Sequence, residues 1–275
     1  MSRPFPASRT LAALLLLGAV VSCQDSPREA ITAPRSPALA HAASGAPKPA
    51  VVLVHGAWAD GSGWADVMRA LQRQGYTVTA VQNALHSVEG DIETTRRVIV
   101  AQQGPVIVVA HSYGGAVITG AAAGLPNVKA LVYVAAFAPD AGEILGQLVG
   151  RLGPSDLDAA LRPDAAGYLY LDRAMFHDVF AGDLPRAESD VLAAVQKPVN
   201  SAIFGQQLAV AAWRTIPSWY LLARDDHTIK PALQRFMSAR MGARVTEIEA
   251  SHLVFISHPQ AVVRMIDEAA AATAP

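Results

Sequence analysis

The sequence predicts an α/β fold: a mostly parallel, doubly wound sheet interrupted by a helical cap insertion. Three observations predict it. Short apolar strands alternate with helical patterns over most of residues 50–272. Strands such as VIVVA (106–110) and LVYVA (131–135) are apolar at every position, as strands buried on both faces are. The alternation breaks off near residue 139 and resumes near 215, so the stretch between is an insertion.

Taken in order, residues 50–54 (AVVLV) form the first strand, and Gly61-Ser62-Gly63 is a turn opening a helical stretch, 61–74. Strand 76–81 and helix 91–102 follow, then strand 105–110 and helix 116–123, then strand 129–135. After the insertion come strand 217–223, helix 232–241, strand 244–249 and helix 259–272. The insertion carries helical segments at 142–152, 173–180 and 189–194, separated by Pro and Gly. They are expected to cap the C-terminal edge of the sheet, the edge at which open α/β sheets bind ligands. The folded domain is expected over 49–275, with the cap at about 139–215.

The N-terminal segment reads differently. Arg3 and Arg9 precede an apolar run from Leu11 to Val21, a charged region and a core too short to span a bilayer. Residues 1–22 are therefore expected to be a signal peptide. The run ends Val20-Val21-Ser22-Cys23, which resembles a bacterial lipobox and implies lipidation of Cys23, the single cysteine of the chain. One cysteine excludes an intramolecular disulfide and multi-cysteine zinc sites. A single acyl chain holds a membrane only marginally, so stable anchoring needs several. Residues 23–48 are rich in Pro, Ala and Ser and are expected to be a disordered tether, with His41 inert in it. The expected location is outside the cytoplasm, as a cell-envelope lipoprotein or a periplasmic or secreted protein.

The formal net charge is −1, and no basic patch is present, which argues against a nucleic-acid partner. No pair of histidines has metal-site spacing, and no phosphate-loop pattern occurs, so neither a metal nor a cofactor is expected.

Val106–Gly115 (VIVVAHSYGG) has the strand–turn–helix context of a nucleophile elbow, with Ser112 at its apex. Ala110 stands where the usual G-x-S-x-G pattern has its first glycine. A serine hydroxyl needs an adjacent base. In this fold the acid and then the histidine follow the nucleophile along the chain. His252, in the loop after strand 244–249, is the expected base. The acid should follow strand 217–223, where Asp225 and Asp226 are adjacent. Neighbouring side chains point different ways, so only one can reach the imidazole. Asp226 is the expected acid, with Asp225 and then Asp140 as alternatives. The backbone N–H groups of Tyr113 and Ala57 are the expected oxyanion-hole donors. His55 is expected to hold the first loop by hydrogen bonds, and His111 to pack beneath the elbow.

Four segments carry a family resemblance: VVLVHGAW (51–58), AHSYGGAV (110–117), LARDDHTIKPALQRF (222–236) and ASHLVFISHPQAV (250–262). Together they resemble the α/β-hydrolase fold family, in its branch of plant methylesterases, hydroxynitrile lyases and small bacterial esterases. The resemblance supports Asp226, because the branch uses the second member of an acidic or polar pair. Hydroxynitrile lyases of the branch carry lysine after the catalytic histidine and threonine after the first-strand histidine. Leu253 and Gly56 stand there and look like the esterase members. The resemblance thus implies hydrolysis of small to medium, uncharged carboxylic esters through an acyl-enzyme. Tyr168, Tyr170, Phe176, Phe180, Phe204 and Trp213 of the cap are candidates to line an apolar pocket. Two other readings stay open: lyase or cofactor-free haloperoxidase-like chemistry, and a small-molecule receptor that turns over poorly.

Overall fold

The computed structural model describes residues 48–274. The expected signal peptide, Cys23 and all of the tether but Lys48 fall outside that range. Among the described residues no helix is long and apolar enough to cross a membrane.

The chain begins with strand β1 (Ala50–Val54), helix α1 (Ala65–Arg73), β2 (Val78–Ala80), α2 (Val88–Val100), β3 (Val106–His111), α3 (Gly114–Ala121) and β4 (Val128–Val134). The insertion follows: α4 (Leu145–Val149), α5 (Asp156–Ala160), β5 (Leu161–Pro163), β6 (Tyr168–Leu171), α6 (Arg173–Phe180), α7 (Arg186–Val195) and β7 (Val199–Asn200). The chain then returns to the sheet through β8 (Ser218–Ala223), α8 (Pro231–Met241), β9 (Arg244–Ile248), α9 (Val254–Ser257) and α10 (Pro259–Ala272).

Six strands form one sheet in the order β2-β1-β3-β4-β8-β9, and every pairing in it is parallel. The interior strands β1, β3 and β8 are buried along their whole length, because helices cover both faces and leave no polar side to the strand. The edge strand β9 is exposed over four of its five residues and carries Arg244 and Glu247, charges that blunt an open edge. α1 packs on α10, and α2 on α3.

The chain leaves β1 toward β2 on one side, then crosses back to β3 on the other. The strand order therefore reverses between β1 and β3, and the carboxyl ends of these two strands form the crevice in which such sheets bind ligands.

Local chemistry sets the element boundaries. The Ser87 side chain accepts from Gly90 N at 3.1 Å and starts α2 at Val88, three residues before the sequence pattern placed it. Pro231 and Pro259 occupy the first positions of α8 and α10, where a missing N–H costs nothing.

The insertion is not wholly helical as the sequence pattern suggested. β5, β6 and β7 form a three-stranded antiparallel sheet within it. The turn from β5 to β6 explains the difference: the Asp164 carboxylate accepts from the backbone N–H groups of Ala166 and Tyr168, both at 2.9 Å. Gly167 takes a φ of 82° there. These are turn chemistries that close a hairpin across a segment too short to show a period.

Candidate active site

The turn between β3 and α3 leaves only Ser112 and Tyr113 outside regular structure. Ser112 has φ 54°, the left-handed region that side chains avoid. A residue held there costs about 1–3 kcal/mol and stays only where its surroundings dictate it. The surroundings do so here. The Ser112 carbonyl accepts from Gly115 N and Phe137 N, both at 3.0 Å. Gly114 and Gly115 let α3 sit against the strand ends. A Cβ on Gly114 would lie 2.7 Å from the His55 carbonyl oxygen, and one on Gly115 2.2 Å from that of Phe137. Ala110, the departure from the glycine pattern, is fully buried between β1 and β4.

His252 stands above Ser112 in the loop after β9. Its Nε2 is 2.8 Å from Ser112 Oγ, and its Nδ1 is 2.8 Å from Asp226 Oδ2. Asp226 follows β8 and is 3% exposed. Thr228 N and Ile229 N donate to its Oδ1 at 2.7 and 2.8 Å, and Gln234 Nε2 donates to its Oδ2 at 2.8 Å. A carboxylate offers only acceptors, so Nδ1 of His252 carries the proton and Nε2 is left to accept from the serine hydroxyl. Asp225 is exposed and takes no part in this relay. Asp140 is engaged by Arg214, which donates to its two oxygens at 2.7 and 2.6 Å. That guanidinium holds the Asp140 carboxyl below its ordinary pKa.

Beside the serine runs the loop after β1, His55–Trp58. His55 Nδ1 donates to Gly56 O at 2.9 Å, and its Nε2 accepts from Asn83 N at 3.0 Å. Burial lowers the His55 pKa to about 4, so the ring is neutral near pH 7 and serves as a strut. Gly56 is sterically required, since a Cβ there would lie 2.7 Å from Ser112 Cβ. Among the described residues the backbone N–H groups of Ala57 and Tyr113 have no hydrogen-bond partner. His111 donates from Nε2 to the His252 carbonyl at 2.9 Å, and its ring lies against those of His252 and Phe255. Burial pushes its pKa well below the ordinary histidine value, so it too is neutral.

The cap closes over this group. Ser112 is 2% exposed and His252 fully buried. Phe180 of α6 packs on His252, with centroids 4.8 Å apart, and edge-on to Trp58 at 6.0 Å. Trp58 takes φ 57° and donates its indole N–H to Leu169 O of β6 at 2.9 Å. Ser251 donates its hydroxyl to the cap residue Asp183. A cavity of about 60 Å³ adjoins Trp58 and Phe180, lined also by Phe176, Leu253, Phe255 and Ile256 among others; neither Ser112 nor His252 is in its wall. A larger one, about 400 Å³, lies between α2 and residues 206–210, away from Ser112. Of the six cap aromatics singled out in the sequence, Phe176 and Phe180 face the smaller cavity. Trp213 is buried elsewhere with its indole on Pro139 O, and Tyr170 is exposed.

Gln234 and Asp91 escaped the sequence reading. Gln234 reaches Asp226 from the first turn of α8, and no local pattern announces that reach. Asp91 is buried and accepts from the Tyr113 hydroxyl at 2.8 Å. Its signal was legible: Val88, Asp91, Thr95 and Ile99 share the buried face of α2, so two polar residues sit on an apolar stripe.

The geometry is thus a strained serine, an imidazole and a carboxylate in hydrogen-bonded series beside two unpartnered N–H groups. An alpha/beta hydrolase of Aspergillus novofumigatus is 29% identical over 248 residues, covering 81% of this chain and 97% of that protein. A carbendazim-hydrolyzing esterase of Nocardioides is 37% identical over 121 residues, a match spanning 39% of this chain and 50% of the esterase. The crystal structure of a pyrethroid hydrolase from Sphingobium faniae superposes with a TM-score of 0.69 at 24% identity, covering 82% of this chain and 98% of that one, a likeness of fold. Residues 51–265 match the alpha/beta hydrolase family, and the chain belongs to that family.

Proposed function

We propose that this protein is a serine esterase that cleaves small to medium, uncharged carboxylic esters through an acyl-enzyme. The observation that carries the reading is the unbroken series Asp226–His252–Ser112, each link 2.8 Å long and all three groups buried. The partial relative from Nocardioides is an esterase, and a pyrethroid hydrolase from Sphingobium wenxiniae is 27% identical over 248 residues, which supports a hydrolytic reading.

In this mechanism Ser112 Oγ attacks the ester carbonyl while its proton passes to His252 Nε2. The carbonyl π electrons move onto oxygen, and the N–H groups of Ala57 and Tyr113 bind the oxyanion. Collapse breaks the bond to the alcohol, which leaves with the proton from His252. Water then gives a proton to His252 and attacks the acyl carbon. The second collapse releases the carboxylic acid and returns the proton to Ser112. Asp226 keeps the imidazole in the required tautomer and stabilises its cation without taking the proton. Phe176, Phe180, Leu253 and Phe255 suit an apolar acyl or alcohol group, and Leu253 leaves no cation beside the histidine for lyase chemistry.

Hydrolysis of p-nitrophenyl esters from C2 to C12 by wild type and Ser112→Ala tests the reading. Wild type should turn over the shorter esters, and the variant should lose about a thousandfold or more in kcat. Absence of turnover at every chain length sinks it. We further propose export as a lipoprotein through Cys23. Mass spectrometry of the mature N-terminus should find a lipidated Cys23, and an unmodified cysteine or cleavage elsewhere refutes the anchor.

A further inference from the structure

We propose that Asp91 is a positioning residue for the oxyanion hole, holding the Ser112–Tyr113 peptide through the Tyr113 hydroxyl; the role rests on the esterase reading above.

The peptide between Ser112 and Tyr113 carries the N–H assigned to the oxyanion. On its far side the carbonyl of the same peptide is clamped by Gly115 N and Phe137 N, both at 3.0 Å. A peptide is planar, so fixing the carbonyl directs the N–H the opposite way, into the site. The clamp leaves Tyr113 itself to be fixed, and its side chain supplies the second hold. The ring is 2% exposed, and its hydroxyl donates to Asp91 Oδ2 at 2.8 Å. A buried hydroxyl on a buried carboxylate is a directional tether rather than a greasy contact.

The same carboxylate reaches the other half of the hole. Its Oδ1 accepts from Leu85 N at 3.1 Å, in a turn where Leu85 takes φ 62°. Two residues earlier, Asn83 N donates to His55 Nε2 at 3.0 Å, and His55 leads directly into Gly56 and Ala57. Asp91 therefore braces Tyr113 with one oxygen and the loop that props Ala57 with the other. The cap rests on that loop too. Asn200 N of β7 donates to Leu85 O at 2.9 Å, and Lys197 donates to Asn83 O. Burial raises the Asp91 pKa, the cost of keeping a carboxylate here. Pure packing would be served as well by an apolar residue on this stripe of α2.

The test uses Tyr113→Phe, which removes one oxygen atom and keeps the backbone N–H, and Asp91→Leu, which removes both acceptor oxygens, since an asparagine could still donate to the Tyr113 hydroxyl and accept from Leu85 N. Each is compared with wild type for kcat and KM on p-nitrophenyl acetate, for inhibition by an aryl trifluoromethyl ketone, and for the rate of fluorophosphonate labelling at Ser112. The ketone adds to serine and forms an oxyanion, so it reads the hole directly. Tyr113→Phe should lose about tenfold in kcat and in ketone affinity together, with KM within about twofold, and Asp91→Leu at least as much. A Tyr113→Phe variant that melts near wild type with kcat or ketone affinity unchanged overturns the proposal, as does a loss confined to KM. If wild type labels at Ser112 but hydrolyses no ester, the esterase reading fails. The positioning role is then judged by labelling: about tenfold slower in Tyr113→Phe supports it, and an equal rate overturns it. Wild type that neither labels nor turns over overturns both.

Discussion

The His252 imidazole meets the Asp226 carboxylate at 2.8 Å, while Asp225, its neighbour in the chain, faces solvent. Three further donors converge on Asp226, so its orientation does not depend on the histidine. Asp226→Asn should cut kcat/KM by about 10³–10⁴, because an amide can turn its NH2 to the ring and select the wrong tautomer. Asp225→Asn and Asp140→Asn should stay within about threefold of wild type. Steady-state kinetics on p-nitrophenyl acetate check this, and a large loss in either of the latter would move the acid.

Gly56 and Gly115 should not tolerate alanine, for different reasons. At Gly56 the new methyl would press on Ser112 Cβ at 2.7 Å, so Gly56→Ala should lower kcat by at least about tenfold in a folded protein. At Gly115 it would meet the Phe137 carbonyl oxygen, which is backbone and cannot step aside. Gly115→Ala should cost about 1–3 kcal/mol or more of stability. Urea melts and kinetics on the two variants separate these outcomes.

Stability should fall on mild acidification. His55 has its pKa lowered from 6.5 to about 4 by burial, so the unfolded chain binds a proton in this interval that the folded one refuses. The contribution is therefore complete above pH 6.5 and is lost as pH falls toward 4, on the order of 3 kcal/mol when complete. His111, depressed in the same direction by burial, adds to it. Urea midpoints between pH 7 and pH 5 should decline steadily, and a flat profile would contradict the assignment of neutral, buried rings.

Phe180 closes the site against both Trp58 and His252. Phe180→Ala should destabilise the protein by about 3–5 kcal/mol. It should also enlarge the small cavity and shift preference toward longer acyl chains, by about tenfold in the C8 to C2 ratio of kcat/KM. An unchanged ratio would place the acyl group elsewhere.

The fold was largely legible because its interior strands are covered on both faces and so read as unbroken apolar runs, of which Val106–His111 is the clearest. The place of Ser112 at a turn apex was legible because that turn is local: a strand, a strained apex and small residues that let a helix follow at once. The place of His252 in the loop after β9 was legible from strand order. The choice between Asp225 and Asp226 depended on which way each side chain leaves the end of β8, which adjacency in sequence leaves open. The hairpin in the cap was illegible because β5 to β7 span two to four residues each, too few for a period. Asp91 carried a readable oddity on an apolar stripe, yet its partner Tyr113 lies 22 residues on, and only the packing of α2 on α3 joins them.

The acyl-enzyme itself is the most direct test. Wild type is mixed with p-nitrophenyl acetate, quenched in acid within the first turnover, and mapped by peptide mass spectrometry. One acetyl group is expected on the peptide that contains Ser112, absent from Ser112→Ala. Turnover with no acetyl on that peptide, or acetyl on another residue, would contradict the mechanism.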